Sequence, residues 1–417
     1  MSETVYRRCC GMDIHKDTVV VCVLAPVGRT GAVVRKSYRT FRNDLIRMRV
    51  WLQQLKVTEI AMESTGVYWR PVWNVLEGHR MQLLLVNPAQ VKALQGRKSD
   101  RRDAKRIAEY LQDGRLDASF VPPLEFRELR QLMRHRLSLL QQRGEAHNQI
   151  RDLFETANLK LSSVASNLMG VSGCRIIEAL IDGQDSAELL AWKVRGKLRK
   201  KEKLVKESLK GYFNDFHRLM LKEHYRRYQF LSQQVAECER EVERRMQPHA
   251  QRVALLMSIP GVDRLVAWHL IAELGGDMSV FPDADHCASW AGMCPGDCES
   301  AGKRLSGRTK KGNKYLRRVL TQAAWAASHC KEGYLRAFFY RMKARCGWGK
   351  AIFAVGHKIL VIAYSILKSE MPYQDLGSDY FDRLHPERTK KRLVQRLERL
   401  GLTVVVQPSP SPNPQIP

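Results

Sequence analysis

Five short strand-like runs precede residue 90, namely Cys9–Met12, Val19–Leu24, Ala32–Tyr38, Ile60–Met62 and Met81–Val86, and helix-period patterns separate the later ones. The first two flank His15-Lys16-Asp17 and read as a hairpin, and Gly28-Arg29-Thr30-Gly31 turns the chain into the third. Leu45, Met48, Trp51, Leu52 and Leu55 then fall at helical spacing, Tyr68 to Leu76 reads as a second helix, and Asn87-Pro88 opens a third helical stretch, because proline suits a first turn. The order β-β-β-α-β-α-β-α predicts a mixed sheet flanked by helices.

Four carboxylates are placed within that frame. Asp13 closes the first run, and Glu63 closes the fourth, directly before Ser64-Thr65-Gly66. Asp100 and Asp103 stand three apart at the start of the amphipathic run Ile107, Tyr110, Leu111, so a helix puts both on one face. Two acids at neighbouring strand ends and two on a helix face are arranged as the metal ligands of a ribonuclease H-type nuclease would be. Magnesium, or manganese in its place, takes oxygen ligands in octahedral geometry, and two ions about 4 Å apart activate the attacking oxygen and stabilise the leaving one. One such acid alone is ordinarily a solvated surface residue; the ordered set carries the expectation of phosphodiester chemistry.

Charge points to the same class of substrate. Seventy Lys and Arg against 43 Asp and Glu give a formal net charge of +27, an excess suited to a polyanion whose released counterions supply affinity. A chain of 417 residues is long enough for two or three domains. No run of eighteen apolar residues and no charged-then-apolar leader is present, which predicts no membrane span, no secretory signal and a cytoplasmic location. The ten cysteines are irregularly spaced and read as small core hydrophobes. His286, Cys287, Cys294 and Cys298 lack the paired Cys-x-x-Cys spacing of a zinc site.

From Leu124 the pattern becomes helical. Leu129, Met133, Arg136, Leu140, His147 and Phe154 imply one long helix, and Leu221, His224, Tyr228, Leu231, Val235, Cys238 and Val242 form a coiled-coil stripe. Between them lie glycines 170, 173 and 183 and the basic run Lys193 to Lys210, which predicts two long antiparallel helices with a smaller helical tip. That run is either a solvated face or a nucleic-acid contact. Ile259-Pro260-Gly261-Val262 before the apolar helix Leu265 to Leu274 resembles half of a helix-hairpin-helix, although Asp263 replaces the usual second glycine and a purely structural turn fits equally. A glycine-punctuated basic loop, Gly302 to Lys314, runs into a helix from Tyr315 to Ala327; Ile352 to Leu367 reads as a further apolar helix, and the Pro/Ser-rich tail from Gln407 as disordered.

Taken together, Gly11-Met12-Asp13, Glu63-Ser64-Thr65-Gly66-Val67-Tyr68, Val86-Asn87-Pro88 and Lys98-Ser99-Asp100-Arg101-Arg102-Asp103-Ala104 resemble the N-terminal domain of insertion-sequence transposases with a RuvC-like DEDD site. Ile259-Pro260-Gly261, Trp290-Ala291-Gly292, Glu299-Ser300-Ala301-Gly302-Lys303 and Gly312-Asn313-Lys314-Tyr315-Leu316-Arg317-Arg318 are similar to their C-terminal domain, with Ala301 where the family usually has glycine. The resemblance implies an α/β RuvC-like domain over 1–122, a coiled-coil linker over 123–250, a mostly α transposase domain over 251–372 and a tail over 373–417. It further implies a DNA recombinase in which Asp13, Glu63, Asp100 and Asp103 bind magnesium. On the same resemblance Ser300 would attack the phosphodiester to give a covalent protein-DNA intermediate. Lys303, Arg304, Arg308, Lys310 and Lys311 would neutralise the developing charge, and Lys314, Arg317 and Arg318 continue the grip on the backbone. The implied partners are double-stranded donor and target DNA, a non-coding bridge RNA that carries sequence readout by base pairing, and further copies of the chain as a dimer or tetramer. Three alternatives stay open: a junction-resolving nuclease that uses water, a related DNA invertase, and a non-enzymatic nucleic-acid scaffold.

Overall fold

The computed structural model describes residues 5–27, 30–64, 66–88, 100–294, 298–300, 303–306, 309 and 312–407, with the backbone alone at 26–27, 30–32, 100–102, 197, 298–300 and 303–306. The chain divides into two compact units, residues 1–121 and 122–417.

The first unit is a five-stranded sheet of order β3-β2-β1-β4-β5, formed by β1 (Cys9–Ile14), β2 (Thr18–Val27), β3 (Thr30–Arg39), β4 (Glu59–Glu63) and β5 (Gln82–Val86). β1 pairs antiparallel with β2, and β2 with β3, whereas β1, β4 and β5 run parallel. It is therefore the mixed sheet that the element order predicts. Both faces are covered, which is why its central strands read as continuous apolar runs rather than alternating ones. Cys10, Met12 and Ile14 of β1 and Ile60 and Met62 of β4 pack under α1 (Arg42–Gln54) and α2 (Trp69–Leu76). Cys9 of β1, Ala61 of β4 and Leu84 and Val86 of β5 face α3 (Asp100–Gln112) through Ala104, Ile107, Ala108 and Leu111. The helical stretch expected after Asn87-Pro88 falls largely on residues 89–99, outside the described ones.

The second unit begins with α4 (Leu124–Thr156), which lies antiparallel against α9 (Asp215–Met246): Arg245 bonds Glu128 at 2.6 Å, Cys238 Sγ reaches the Leu132 carbonyl at 3.5 Å, and Arg136 pairs with Glu239. At one end a small core formed by α5 (Leu161–Val164), α6 (Val171–Ile181), α7 (Ala187–Trp192), a 3-10 turn (Gly196–Lys201) and α8 (Glu202–Ser208) makes the helical tip. Leu221, Leu231, Val235, Cys238 and Val242 of α9 are buried as the stripe predicts, and two positions differ. Tyr225 is buried while His224 and Tyr228 remain half-exposed, because the Tyr225 hydroxyl finds an acceptor in Glu178 of α6 at 2.8 Å and the helix turns that side inward.

Beyond it follow α10 (Ala250–Met257), α11 (Arg264–Leu274), α12 (Ala284–Ala291), the hairpin β6 (Cys298–Ser300) and β7 (Lys303–Ser306), α13 (Lys314–Ser328), α14 (Tyr334–Cys346) and α15 (Trp348–Ser369). The stretch from 373 also holds α16 (Tyr380–Leu384) and α17 (Pro386–Glu398). Among the described residues, α15 alone is long and apolar enough to cross a membrane by length and composition, and 56% of its apolar window is buried. It is the central helix of this bundle, with Val355, Ile359 and Leu360 fully covered.

Candidate active site

Strand register decides where the first two acids point. β1 and β4 are paired in parallel with Gly11 opposite Ala61 and Met12 opposite Met62, so Asp13 and Glu63 follow as the next residues on adjacent strands, at their carboxyl ends. Side chains alternate along a strand. Asp13 thus shares the face of Cys9 and Gly11, Glu63 that of Ala61, and this is the face covered by α3. Open α/β sheets commonly bind ligands beyond the carboxyl ends of their parallel strands.

Gly11 sets the depth at which α3 lies. A Cβ on Gly11 would sit 2.2 Å from the Ala104 carbonyl oxygen and 2.4 Å from the Ala108 nitrogen, so only glycine lets the helix backbone rest on β1 here. Asp103 immediately precedes Ala104 and is thereby brought to the strand-end face that carries Asp13. Asp100 begins the same helix; its side chain lies outside the described ones. Asp13 is 14% exposed and its Oδ2 is 3.2 Å from His15 Nε2, while Asp103 pairs with Arg106 at 3.5 Å. Among the described residues no three acidic, His or Cys groups close on one point. Three of the four acids are thus carried to one face of the sheet by elements in direct contact, and their hard oxygen donors fit magnesium in kind. The sequence reading did not single out His15, which comes to Asp13 through the tight β1-β2 hairpin, where the His15 nitrogen donates to the Thr18 carbonyl.

Ser300 lies in the second unit, at the end of β6, paired with Lys303 of β7. The loop expected from Gly302 onward is thus partly a hairpin. The side chains of Ser300, Lys303, Arg304, Arg308, Lys310 and Lys311 lie outside the described ones. The ends of this excursion are fixed together: a Cβ on Gly312 would sit 2.4 Å from the Gly292 nitrogen, at the left-handed residue that closes α12. Asn313 then caps α13, its Oδ1 accepting from the nitrogens of Tyr315 and Leu316. Lys314 and Arg318 are exposed on that helix; Arg317 stacks on Phe353 at 5.5 Å and donates to Thr309 Oγ1 at 3.1 Å.

Glu273, absent from the sequence reading, is fully buried beneath this helix start. Arg134 of α4 donates to both its oxygens at 2.8 Å, Arg130 lies 3.4 Å away, and Asn313 Nδ2 donates to Oε2 at 2.6 Å. Arg134 also stacks over Tyr315 at 4.4 Å. Burial pulls the Arg130 guanidinium down to about 10. Glu273 thereby joins α4, α11 and α13 at the point where the basic loop returns. Its only signal in sequence was an acid within the apolar helix Leu265 to Leu274.

The other candidates are not assembled as sites among the described residues. His286 is exposed and bonds Asp283 at 2.8 Å, adjacent Cys287 is buried with its thiol pushed up to about 12, and Cys294 faces His357; the Cys298 side chain is outside those described. Asp263 accepts from the Val266 nitrogen at 2.8 Å and caps α11, and a Cβ on Gly261 would meet the Ala323 carbonyl oxygen at 2.4 Å. The Ile259-Pro260-Gly261 turn therefore packs on α13, the structural alternative.

Comparison with known proteins agrees along most of the chain. Residues 10–158 match a family model described as Transposase, and residues 253–340 one described as Transposase IS116/IS110/IS902 family. The chain is 24% identical over 375 residues to the pilin gene-inverting protein of Moraxella bovis, covering 87% of this chain and 96% of that protein. It is 26% identical over 321 residues to the transposase for insertion sequence element IS1328 of Yersinia enterocolitica, covering 75% and 82%, and 25% identical over 304 residues to a probable family 20 transposase of Pseudomonas aeruginosa, covering 72% and 80%. With residues 10–158 and 253–340 matched in order by two transposase models, and relatives that cover about three quarters of its length or more, the chain belongs to the IS110 family of transposases.

Proposed function

We propose that the chain is a recombinase of a mobile element that cuts and rejoins double-stranded DNA, with a RuvC-like acidic site in its first unit and Ser300 as nucleophile in its second. The observation that carries this reading is the register that sets Asp13 beside Glu63 under α3, over the bare backbone of Gly11. Asp13, Glu63, Asp100 and Asp103 would hold magnesium or manganese. When bound, the metal supplies Lewis-acid stabilisation of charge on the reacting phosphate. His15, bonded to Asp13, would orient that carboxylate.

Ser300 Oγ would attack the phosphorus, its proton leaving to solvent or a neighbouring base, while the bond from phosphorus to the departing strand oxygen breaks and that oxygen takes up a proton. The resulting serine ester keeps the bond energy, so a hydroxyl of the incoming strand can displace serine without an external energy source. Cations of the loop from Lys303 to Lys311, with Lys314, Arg317 and Arg318, would hold the phosphate backbone and the charge on the transferring phosphoryl group. The two long helices would form a coiled coil joining the domains of a dimer or tetramer, and a non-coding guide RNA would select donor and target by pairing. Similarity to the pilin gene-inverting protein favours inversion within one replicon as a second reading of the same chemistry.

Asp13→Asn is expected to abolish strand cleavage with DNA binding within about twofold of the wild type, because affinity rests on the basic surface. Cleavage retained in that variant or in excess chelator refutes the metal role. Protein purified from cells carrying the whole element should hold one discrete non-coding RNA; recombination that survives ribonuclease treatment and repurification refutes the guide.

A further inference from the structure

The helical tip carries a second charged surface. Residues 193–210 hold nine Lys and Arg against two Glu. Lys206 is engaged by Glu188 at 2.6 Å and Lys210 by Glu207 at 2.9 Å, whereas Arg195, Arg199, Lys200 and Lys203 are exposed and enter no ion pair among the described residues. Next to them Trp192 stands 80% exposed at the end of α7.

That exposure is imposed by the fold. Ala191 and Val194, on either side, are buried in the tip core, and the Arg195 nitrogen donates to Ser172 Oγ at 2.8 Å, so the backbone holds the indole outward. Burying a side chain of this size is ordinarily favourable by a few kcal/mol. A fixed backbone that keeps it in water leaves a flat apolar face for an incoming group.

Trp192, Val194, Arg195, Arg199 and Glu202 line a recess of about 110 Å³. Glu202 repels a phosphate from this recess but accepts a hydrogen bond from a base N–H, such as the ring N3–H of thymine, and the surrounding cations suit phosphates on either side. An aromatic face beside a cationic track is the chemistry of single-strand binding, since a duplex hides the faces of its bases. A second copy of the tip would bring equal positive charge and is disfavoured.

We propose that the tip binds single-stranded DNA, stacking a base on Trp192 while Arg195, Arg199 and Lys200 hold the flanking phosphates. Membership of a transposase family supplies the occupant, because strand exchange unpairs DNA. The proposal does not depend on the roles of Ser300 or the four acids.

The test uses the full chain and fluorescence anisotropy with three probes: an oligothymidylate of about twenty nucleotides, an oligouridylate of the same length and a matched DNA duplex. Trp192→Ala is expected to weaken oligothymidylate binding roughly tenfold or more, with duplex affinity within about twofold and the melting temperature unchanged, since the side chain is exposed. Arg195→Glu with Arg199→Glu should lower the salt slope for the single strand by about one to two. An oligonucleotide carrying 5-iodouracil should crosslink to the peptide that includes Trp192. Unchanged affinity for oligothymidylate, an equal loss on the duplex, a loss confined to oligouridylate, or crosslinks that exclude this peptide would overturn the proposal.

Discussion

Replacing Glu273 by glutamine tests whether a buried carboxylate organises the start of α13. Removing one partner of a buried ion pair generally costs roughly 3–5 kcal/mol, because the other charge is left without compensation. Here Arg134 is 32% exposed and regains water, and Arg130 keeps the carbonyl oxygens of Ala272 and Glu273 as acceptors. The lower end, about 3 kcal/mol, is therefore expected. The amide offers one acceptor to three donors and turns its own N–H groups toward guanidinium N–H groups. At about 2–4 °C per kcal/mol, the melting temperature should fall by roughly 6–12 °C. Denaturant titration of wild type, Glu273→Gln, Arg134→Met and the double variant supplies the cycle. Since each single change strands the other member of the pair, and the double variant strands neither, the double variant should be more stable than the sum of the singles predicts by at least about 1 kcal/mol. Glu273→Gln within about 0.5 kcal/mol of wild type, or strictly additive singles, refutes the reasoning.

His269, 3% exposed and with Nδ1 unpartnered among the described residues, is pushed down to about 4 chiefly by burial, with Arg136 and Arg318 nearby opposed by Glu273 and Asp263. Its ordinary value is 6.5, so between about pH 6.5 and 4 the unfolded chain binds more protons and stability rises with pH; the roughly 3 kcal/mol involved is fully present above pH 6.5 and lost on acidification. His269→Gln should flatten the melting-temperature profile over that window, and an unchanged profile counts against the assignment. Gly11→Ala forces backbone atoms of α3 away from β1 and should cost about 1–3 kcal/mol or more; magnesium affinity measured by calorimetry should fall with it, and retention of both at wild-type levels contradicts the placement of Asp103. Ser300→Ala should lose the covalent DNA adduct in denatured reactions while Ser306→Ala keeps it; cleavage by Ser300→Ala without an adduct makes water the nucleophile.

Much of the first unit is local information. Apolar runs bounded by turn residues mark the strands of the first unit, and the carboxylates Asp13 and Glu63 stand at or next to the ends of two of them in sequence as in the fold. The cation excess and the basic loop are likewise properties of composition. Strand order is not local: only the parallel pairing of β1 with β4, on the edge opposite its hairpin partner β2, sets Asp13 beside Glu63 rather than on opposite faces. Gly11 looks like an ordinary glycine in a strand until the backbone of α3 is seen resting on it. Glu273 was hidden for the same reason. Its partners lie on α4 and α13, 139 and 40 residues away, and neither charge patterning nor helical period reports such a meeting. On α9 periodicity found the helix and most of its buried side, Leu221, Leu231, Val235, Cys238 and Val242, but not Tyr225, whose hydroxyl bonds Glu178 on another helix. Period and turn chemistry act over a few residues and so are written in the sequence, whereas register, close backbone approach and buried charge pairing arise only when distant segments exclude water together.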